Sequence, residues 1–217
     1  MKPKQIATRF FLILLIGISS ASFGQDTAPQ PIPPSPSSGA AFTKGTNVIN
    51  AGVGMGGYYS YWGGGYYETP NFVISYENGT FGNVGPGTIS LGALLSYKDI
   101  SDNYIGGDGY NYTDNWTYWI LGFRSAYHLT IPSTPKFDPY AGLMLGYYFL
   151  NHTFSTNNPN YRTPGNPGYV YYTASYPDYA ALSLYLGARY YISNTVGIWA
   201  ELGYGYTTLA VGINFRF

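Results

Sequence analysis

The sequence predicts an all-β protein, an eight-stranded antiparallel up-and-down transmembrane β-barrel. Three observations carry this. Apolar residues alternate with small or polar ones over eight separate stretches. Charge is scarce, at 9% of residues, against about 25% in an ordinary soluble domain. Short and long connections alternate between the stretches, the layout of a membrane barrel with both termini on one side.

The N-terminus comes first. Lys2, Lys4 and Arg9 flank an apolar run from Phe10 to Ile18, followed by Ser19, Ser20, Ala21 and Ser22. This reads as a secretory signal peptide over residues 1–24, because the run is too short to span a membrane as a helix. A short buried helix is the bland alternative, and the flanking charges and small residues speak against it. Removing the segment leaves seven cations against ten acids, a net charge of about −3. Residues 25–45 carry Pro29, Pro31, Pro33, Pro34 and Pro36. That stretch cannot build a core and reads as an extended periplasmic linker, spacers being commoner than proline-rich ligands.

The barrel is expected over residues 46–217. The first strand, Asn47 to Tyr59, sets Ile49, Ala51, Val53 and Met55 against Asn50, Gly52, Gly54 and Gly56. The second, Phe72 to Asn78, opposes Phe72, Ile74 and Tyr76 to Val73, Ser75 and Glu77. The third runs Thr88 to Lys98, the fourth Trp116 to Leu129 and the fifth Tyr140 to Asn151. The last three fill Tyr179 to Phe217. There Leu184, Leu186, Ile198, Leu202, Ile213 and Phe215 oppose Ser183, Tyr185, Gly197, Trp199, Gly212 and Asn214. Strands eight and one are expected to pair, which turns an open edge into a seam. Long connections are expected at Ser60–Asn71, Asp99–Asn115 and His152–Asp178, and short ones at Gly79–Gly87, Thr130–Lys136 and Ser193–Thr195. The tight hairpin at Tyr206–Thr208 should leave the loop-side rim low beside the last two strands.

Alternation fits a soluble barrel with a polar exterior as well as a membrane barrel with an apolar one. The polar face decides. It is mostly Gly, Ser, Ala and Tyr with about one charge per strand, which suits a narrow, filled lumen and not a water-facing wall. Its charges are of both signs: Glu77 and Glu201 with Lys98, Arg124, Arg189 and Arg216. Lone buried charges are costly, so these six should pair. Aromatic residues gather at strand ends as two interfacial girdles. Tyr58, Tyr59, Phe72, Trp116, Trp119, Tyr147, Phe149, Tyr204 and Tyr206 fall at the long-loop end. Tyr127, Tyr140, Tyr190, Phe215 and Phe217 fall at the other.

Particular stretches carry a family likeness. The terminal Ala-Val-Gly-Ile-Asn-Phe-Arg-Phe resembles the C-terminal insertion signal of bacterial outer-membrane proteins, with Phe215 and Phe217 as its aromatic positions. The runs Phe137-Asp138-Pro139-Tyr140-Ala141-Gly142 and Glu201-Leu202-Gly203-Tyr204-Gly205 resemble small OmpA-type and OmpW-like barrels of Bacteroidetes-like bacteria. The resemblance implies a lumen salt-bridge network that gates or blocks conduction, with the six charged residues above as its counterpart. It also implies an outer-membrane location after export, periplasmic termini, and insertion by the barrel-assembly machinery. The chain stops at strand eight, so no cell-wall-tethering domain is expected.

The remaining chemistry is thin. A formal net charge of +0 argues against an electrostatic nucleic-acid binder. No cysteine means no disulfide, thiolate catalysis, cysteine metal site or lipid-modified Cys. His152 with Ser155 lacks a well-spaced orienting acid, so no enzyme is expected, and His128 reads as a lumen hydrogen-bonding residue. Asp99, Asp102, Asp108 and Asp114 match no calcium-loop spacing and read as solvated Asx turns, so no metal or cofactor is expected. The loops are rich in Tyr, Asn, Gly and Ser, the chemistry of adaptable contact surfaces. Tyr61, Trp62, Tyr110, Tyr112, Tyr171 and Tyr172 are the candidate contacts for an extracellular carbohydrate or protein. The expected partners are outer-membrane lipids and lipopolysaccharide. Two functions follow: a structural or surface-interaction barrel with a side-chain-filled lumen, or a narrow pore for ions or small, even hydrophobic, solutes.

Overall fold

In the computed structural model the chain divides into two units, Met1–Ser35 and Pro36–Phe217. The structure describes residues 39–57, 66–130, 134–161, 171–175 (backbone only) and 178–217. The signal-peptide reading, most of the linker, and Tyr58, Tyr59, Tyr61 and Trp62 lie outside the described residues.

Ten strands follow in order: β1 Asn47–Met55, β2 Tyr66–Glu68, β3 Asn71–Val84, β4 Gly87–Ile105, β5 Asn111–Leu129, β6 Phe137–Thr156, β7 Tyr171–Ser175, β8 Tyr179–Tyr191, β9 Val196–Tyr204 and β10 Leu209–Arg216. Eight of them form the wall, each paired antiparallel with its neighbours along the chain. The ring closes where β10 meets β1, in register from Val48↔Arg216 to Met55↔Leu209. The molecule is thus the expected closed eight-stranded up-and-down barrel, without helix among the described residues. β2 and β7 are short additions that pair β4 and β6 above the ring.

The wall has opposite polarity on its two faces. Outward stand Val53, Ile74, Phe123, Leu145, Leu184, Leu186, Ile198, Leu202, Ile213 and Phe215, all exposed. Inward stand the glycines, buried or half-buried, with the hydroxyls and the charges, most of them buried. Phe215 and Phe217, expected as the aromatic positions of a C-terminal signal, are exposed.

Several strand limits differ from those expected. β3 continues through the region expected as a connection and turns only at Gly85–Pro86, with register shifts between Gly79 and Val84. β4 and β5 stay paired up to Ile105↔Asn111, so most of the expected Asp99–Asn115 loop is strand. β6 runs to Thr156. The reason is that these extensions carry polar and aromatic residues on both faces. They give no apolar alternation, and the partner strand alone holds them extended. A tall sheet of β4, β5 and β6 therefore rises on one side. On the other side the rim is low, as expected, because β9 and β10 join through a tight turn in which Gly205 has φ 128°. A side chain at Gly205 would also strike Ser183 Oγ, 2.1 Å from the added Cβ.

Three expected girdle residues point inward instead. Tyr140 and Tyr206 are buried in the lumen, and Trp116 stacks on His152 with ring centroids 5.0 Å apart. Their even numbers on β5 and β6 place Trp116 and Tyr140 on the lumen face, so the strand period rather than the height decides. Phe72, Trp119, Tyr147 and Tyr204 do face out.

Candidate functional site: the ion network in the lumen

The lumen is filled in layers. On the loop side an apolar layer contains Val73, Leu94, Ile120, Met144, Tyr148 and Tyr206. Large side chains lie over glycines of neighbouring strands. A Cβ at Gly122 would sit 2.3 Å from Met144 Sδ, and one at Gly187 would sit 2.4 Å from the Tyr140 ring. The Trp199 indole covers both Gly52 and Gly212, each 2.9 Å or less from where a Cβ would stand.

Below that layer is a connected set of charges. Arg124 Nη2 donates to Glu201 Oε1 at 2.5 Å and lies 2.9 Å from Glu77 Oε1. Arg189 reaches Glu77 Oε2 through Nη2 at 2.8 Å and Asp138 Oδ2 through Nη1 at 2.9 Å. Its Nε donates to Asn50 Oδ1 at 3.2 Å, and Asn50 Nδ2 donates to Ser75 Oγ at 2.9 Å. Glu201 also accepts from the phenols of Tyr140 at 2.8 Å and Tyr206 at 3.0 Å. The guanidinium carbons of Arg124 and Arg189 lie over the rings of Tyr185 and Tyr140, at 4.3 and 4.5 Å. Every charged member, and Asn50, is 1% exposed or less. Ionic groups removed from water survive only when paired and hydrogen-bonded, which is what this arrangement supplies.

Four of the six charged residues singled out in the sequence, Glu77, Arg124, Arg189 and Glu201, are brought together here. The other two are not. Lys98 faces the lumen but pairs with Glu68 on β2, at 2.9 Å, near the loop-side mouth. Arg216 sits at the opposite end, donating to Asn194 O at 3.0 Å and Ala41 O at 2.7 Å and lying over the Tyr191 ring. Alternation fixes which face a residue takes and not how deep it lies. Lys98 is six residues above Gly92, the cross-strand neighbour of Arg124, or about 20 Å of strand.

Two members were missed. Asp138 lies two residues before the expected start of its strand. Pro139 is tolerated in β6 because it stands among the strand's first residues. The parity of Tyr140 would have placed Asp138 inside. His128 was assigned to the lumen but not to the network. Its Nδ1 lies 2.9 Å from Asp138 Oδ1 and its Nε2 3.4 Å from Glu77 Oε2. Three carboxylates and two guanidiniums are thus joined by an imidazole that faces a carboxylate from each nitrogen.

Ser90 Oγ lies 3.1 Å from His128 Nε2, giving Ser90, His128 and Asp138 the order of a nucleophilic triad. Ser90 is fully buried, however, with its hydroxyl also directed at Ala126 O. The surrounding backbone amides belong to the strand ladder, so no donors converge on a substrate oxygen. The group reads as a hydrogen-bond relay. His152 does have an acid, contrary to expectation: Asp114 Oδ1 is 2.6 Å from its Nε2. Ser155 is one position off the parity of His152 and faces away from it.

The concave face of the tall sheet carries a second cluster. Tyr104 stacks on Tyr112 at 5.3 Å, and Tyr112 meets Phe154 and Tyr161. Tyr112 donates to Asp108 at 2.5 Å, and Asn158 Nδ2 donates to the same carboxylate at 2.8 Å. The Tyr112 hydrogen bond holds the Asp108 carboxyl below the usual carboxylate range. Asp108 also accepts from Tyr110 N at 3.2 Å, an Asx turn at the hairpin tip. Of the expected contact residues, Tyr112 is therefore engaged within the sheet and Tyr110 is half-exposed beside it. Tyr171 and Tyr172 lie on β7, of which the backbone is described.

No protein-family model matches the chain, and no curated protein is significantly similar to it. Among solved structures it is similar to the N-terminal β-barrel domain of Pseudomonas aeruginosa OprF, at 13% identity and TM-score 0.45, covering 81% of this chain and 100% of that one. It is also similar to Ail, the attachment invasion locus protein of Yersinia pestis, at 12% identity. That comparison covers 80% of this chain and 99% of Ail, with TM-scores of 0.44 for Ail alone and 0.42 for its complex with the heparin analogue sucrose octasulfate.

Proposed function

We propose that the chain is an integral outer-membrane protein whose barrel is closed along its axis by its own side chains, and whose tall, Tyr-rich sheet serves surface contacts. One observation carries this reading: the inverted polarity of the wall. Leu186 and Leu202 on the outside are 65% and 61% exposed, while Arg124, Arg189, Glu77 and Glu201 inside are 1% exposed or less. In water this arrangement would be doubly unfavourable. Each outward leucine forgoes about 2 kcal/mol of burial, and the inner charges lose hydration. In a bilayer the same outer face is matched to its solvent, and a closed barrel leaves no unpaired strand edge in hydrocarbon.

Export by the N-terminal leader, periplasmic termini, lipid and lipopolysaccharide as the surrounding medium, and assembly by the insertion machinery acting on Phe215 and Phe217 complete the proposal. The role is non-enzymatic and requires no cofactor. The pore alternative is ranked second because Met144, Trp199, Tyr140 and Tyr185 occupy the volume a solute would need, each set over a glycine of an adjacent strand. The surface-contact role draws on the concave aromatic cluster of the tall sheet, where rigid rings alternate with Asp and Asn.

Cell fractionation tests the location. The protein should partition with outer membranes and migrate faster on a denaturing gel before heating than after. Recovery from the soluble periplasm would contradict the proposal.

A further inference from the structure

The chain ahead of β1 turns back into the short-turn mouth of the barrel. Thr46 N–H donates to Thr43 O at 3.1 Å, and Gly45 sits at φ 86°, as a type II turn requires at its third residue. This turn is pinned to the wall. Gly45 N–H donates to Gly79 O at 2.7 Å, and Gly79 N–H donates to Thr46 O at 2.8 Å. Arg216 Nη1 holds Ala41 O at 2.7 Å. Phe42 is thereby carried inside, where it is 3% exposed. Its ring stacks on the His128 imidazole at 3.7 Å, with 12° between the planes, and lies 5.6 Å from the Arg189 guanidinium carbon. Gly79 is part of the seat, because a Cβ there would stand 2.2 Å from Thr43 O.

We infer that residues 41–46 form a releasable lid, with Phe42 as its stopper, that closes the ion network from the short-turn side. Three features distinguish it from the wall. It lies outside the strand ladder. The barrel seam closes from Val48↔Arg216 onward without it. A few terminal hydrogen bonds and one ring hold it, which places it at the low-stability end of local openings. Under the lid, His128 faces Asp138, Glu77 and Ser90, with the Tyr140 ring 5.1 Å away. On the far side the layer of Val73, Leu94, Ile120, Met144, Tyr148 and Tyr206 blocks water. The chamber therefore opens toward one mouth only, and displacement of Phe42 lets water and protons reach the imidazole. This inference is argued from the barrel interior, and its test rests on the proposed membrane barrel, whose own failure would show as a chain that does not fold in detergent.

Diethylpyrocarbonate labelling of the full chain, folded in detergent micelles, tests it, with His128 and His152 carbethoxylation followed separately by peptide mass spectrometry. In the wild type His128 should resist the reagent. Phe42→Ala should raise its labelling rate by roughly tenfold or more, with His152 unchanged. Gly79→Val keeps Phe42 but displaces Thr43, and should do the same, while Phe42→Tyr should retain protection. Gel migration before heating reports whether each barrel is intact. Equal His128 reactivity in wild type and Phe42→Ala would overturn the inference. So would continued protection in both Phe42→Ala and Gly79→Val with the barrel intact. Loss of the barrel in Phe42→Ala would overturn it too, because a part the barrel requires is not a lid.

Discussion

Arg124 shows how much one lumen side chain holds. It lies against Glu77 and Glu201, receives the Tyr185 ring beneath its guanidinium carbon, and donates through Nε to the Tyr185 phenol at 3.2 Å. Removing one partner of a buried ion set leaves the other charges uncompensated and costs about 3–5 kcal/mol. Arg124→Ala should therefore lower the urea midpoint of the folded barrel substantially. Lys98→Ala, which breaks a single ion pair near the loop-side mouth and leaves a partly exposed Glu68 that water can reach, should cost less. Equal effects of the two substitutions would refute the ranking. At this scale the sequence was informative about face and uninformative about depth. The parity of Glu77, Arg124, Arg189 and Glu201 is plain in the alternation. Nothing in a strand pattern says that Lys98 sits about 20 Å of strand above them, or that Arg216 reaches a carbonyl ahead of β1. Asp138 carries no sign of its place because it lies ahead of the alternating run that opens at Tyr140, and Phe42 none because a residue beside a proline-rich spacer carries no sign that it docks inside.

Among the strands, β10 repays attention because it is both the last element and the seam. Gly212 lies opposite Gly52 on β1 and Trp199 on β9. A Cβ at Gly212 would stand 2.1 Å from Ala51 O, a backbone atom that cannot move without parting the seam. Gly212→Val should destabilise the folded barrel by about 1–3 kcal/mol or more, read as a lower urea midpoint by tryptophan fluorescence. Gly107→Val, at a hairpin tip where an added Cβ meets nothing within 4 Å, serves as the matched control and should leave the midpoint unchanged. The strands of the wall were legible because their apolar outer face and polar inner face write a clean period of two. The extensions of β4, β5 and β6 were not. Polar and aromatic residues stand on both of their faces, no apolar period survives, and pairing such as Asp102↔Asp114 or Tyr104↔Tyr112 continues the ladder of the wall strands below.

At the scale of the whole molecule, three stoppers lie in series along one axis: Phe42 under the ion network, the network itself, and the apolar layer capped by Tyr148 and Tyr206. An eight-stranded ring encloses little more than the volume its inward side chains fill, and here the glycines are spent on fitting large neighbours. A barrel built this way is a closed post, and β4, β5 and β6 rise above it on one side. Electrical recording on purified protein in a planar lipid bilayer tests that account most directly, with insertion verified by heat-dependent gel migration of the reconstituted sample. The account predicts no steady ionic current from the inserted wild-type barrel. A sustained ohmic conductance from it would contradict the closed lumen and restore the narrow pore.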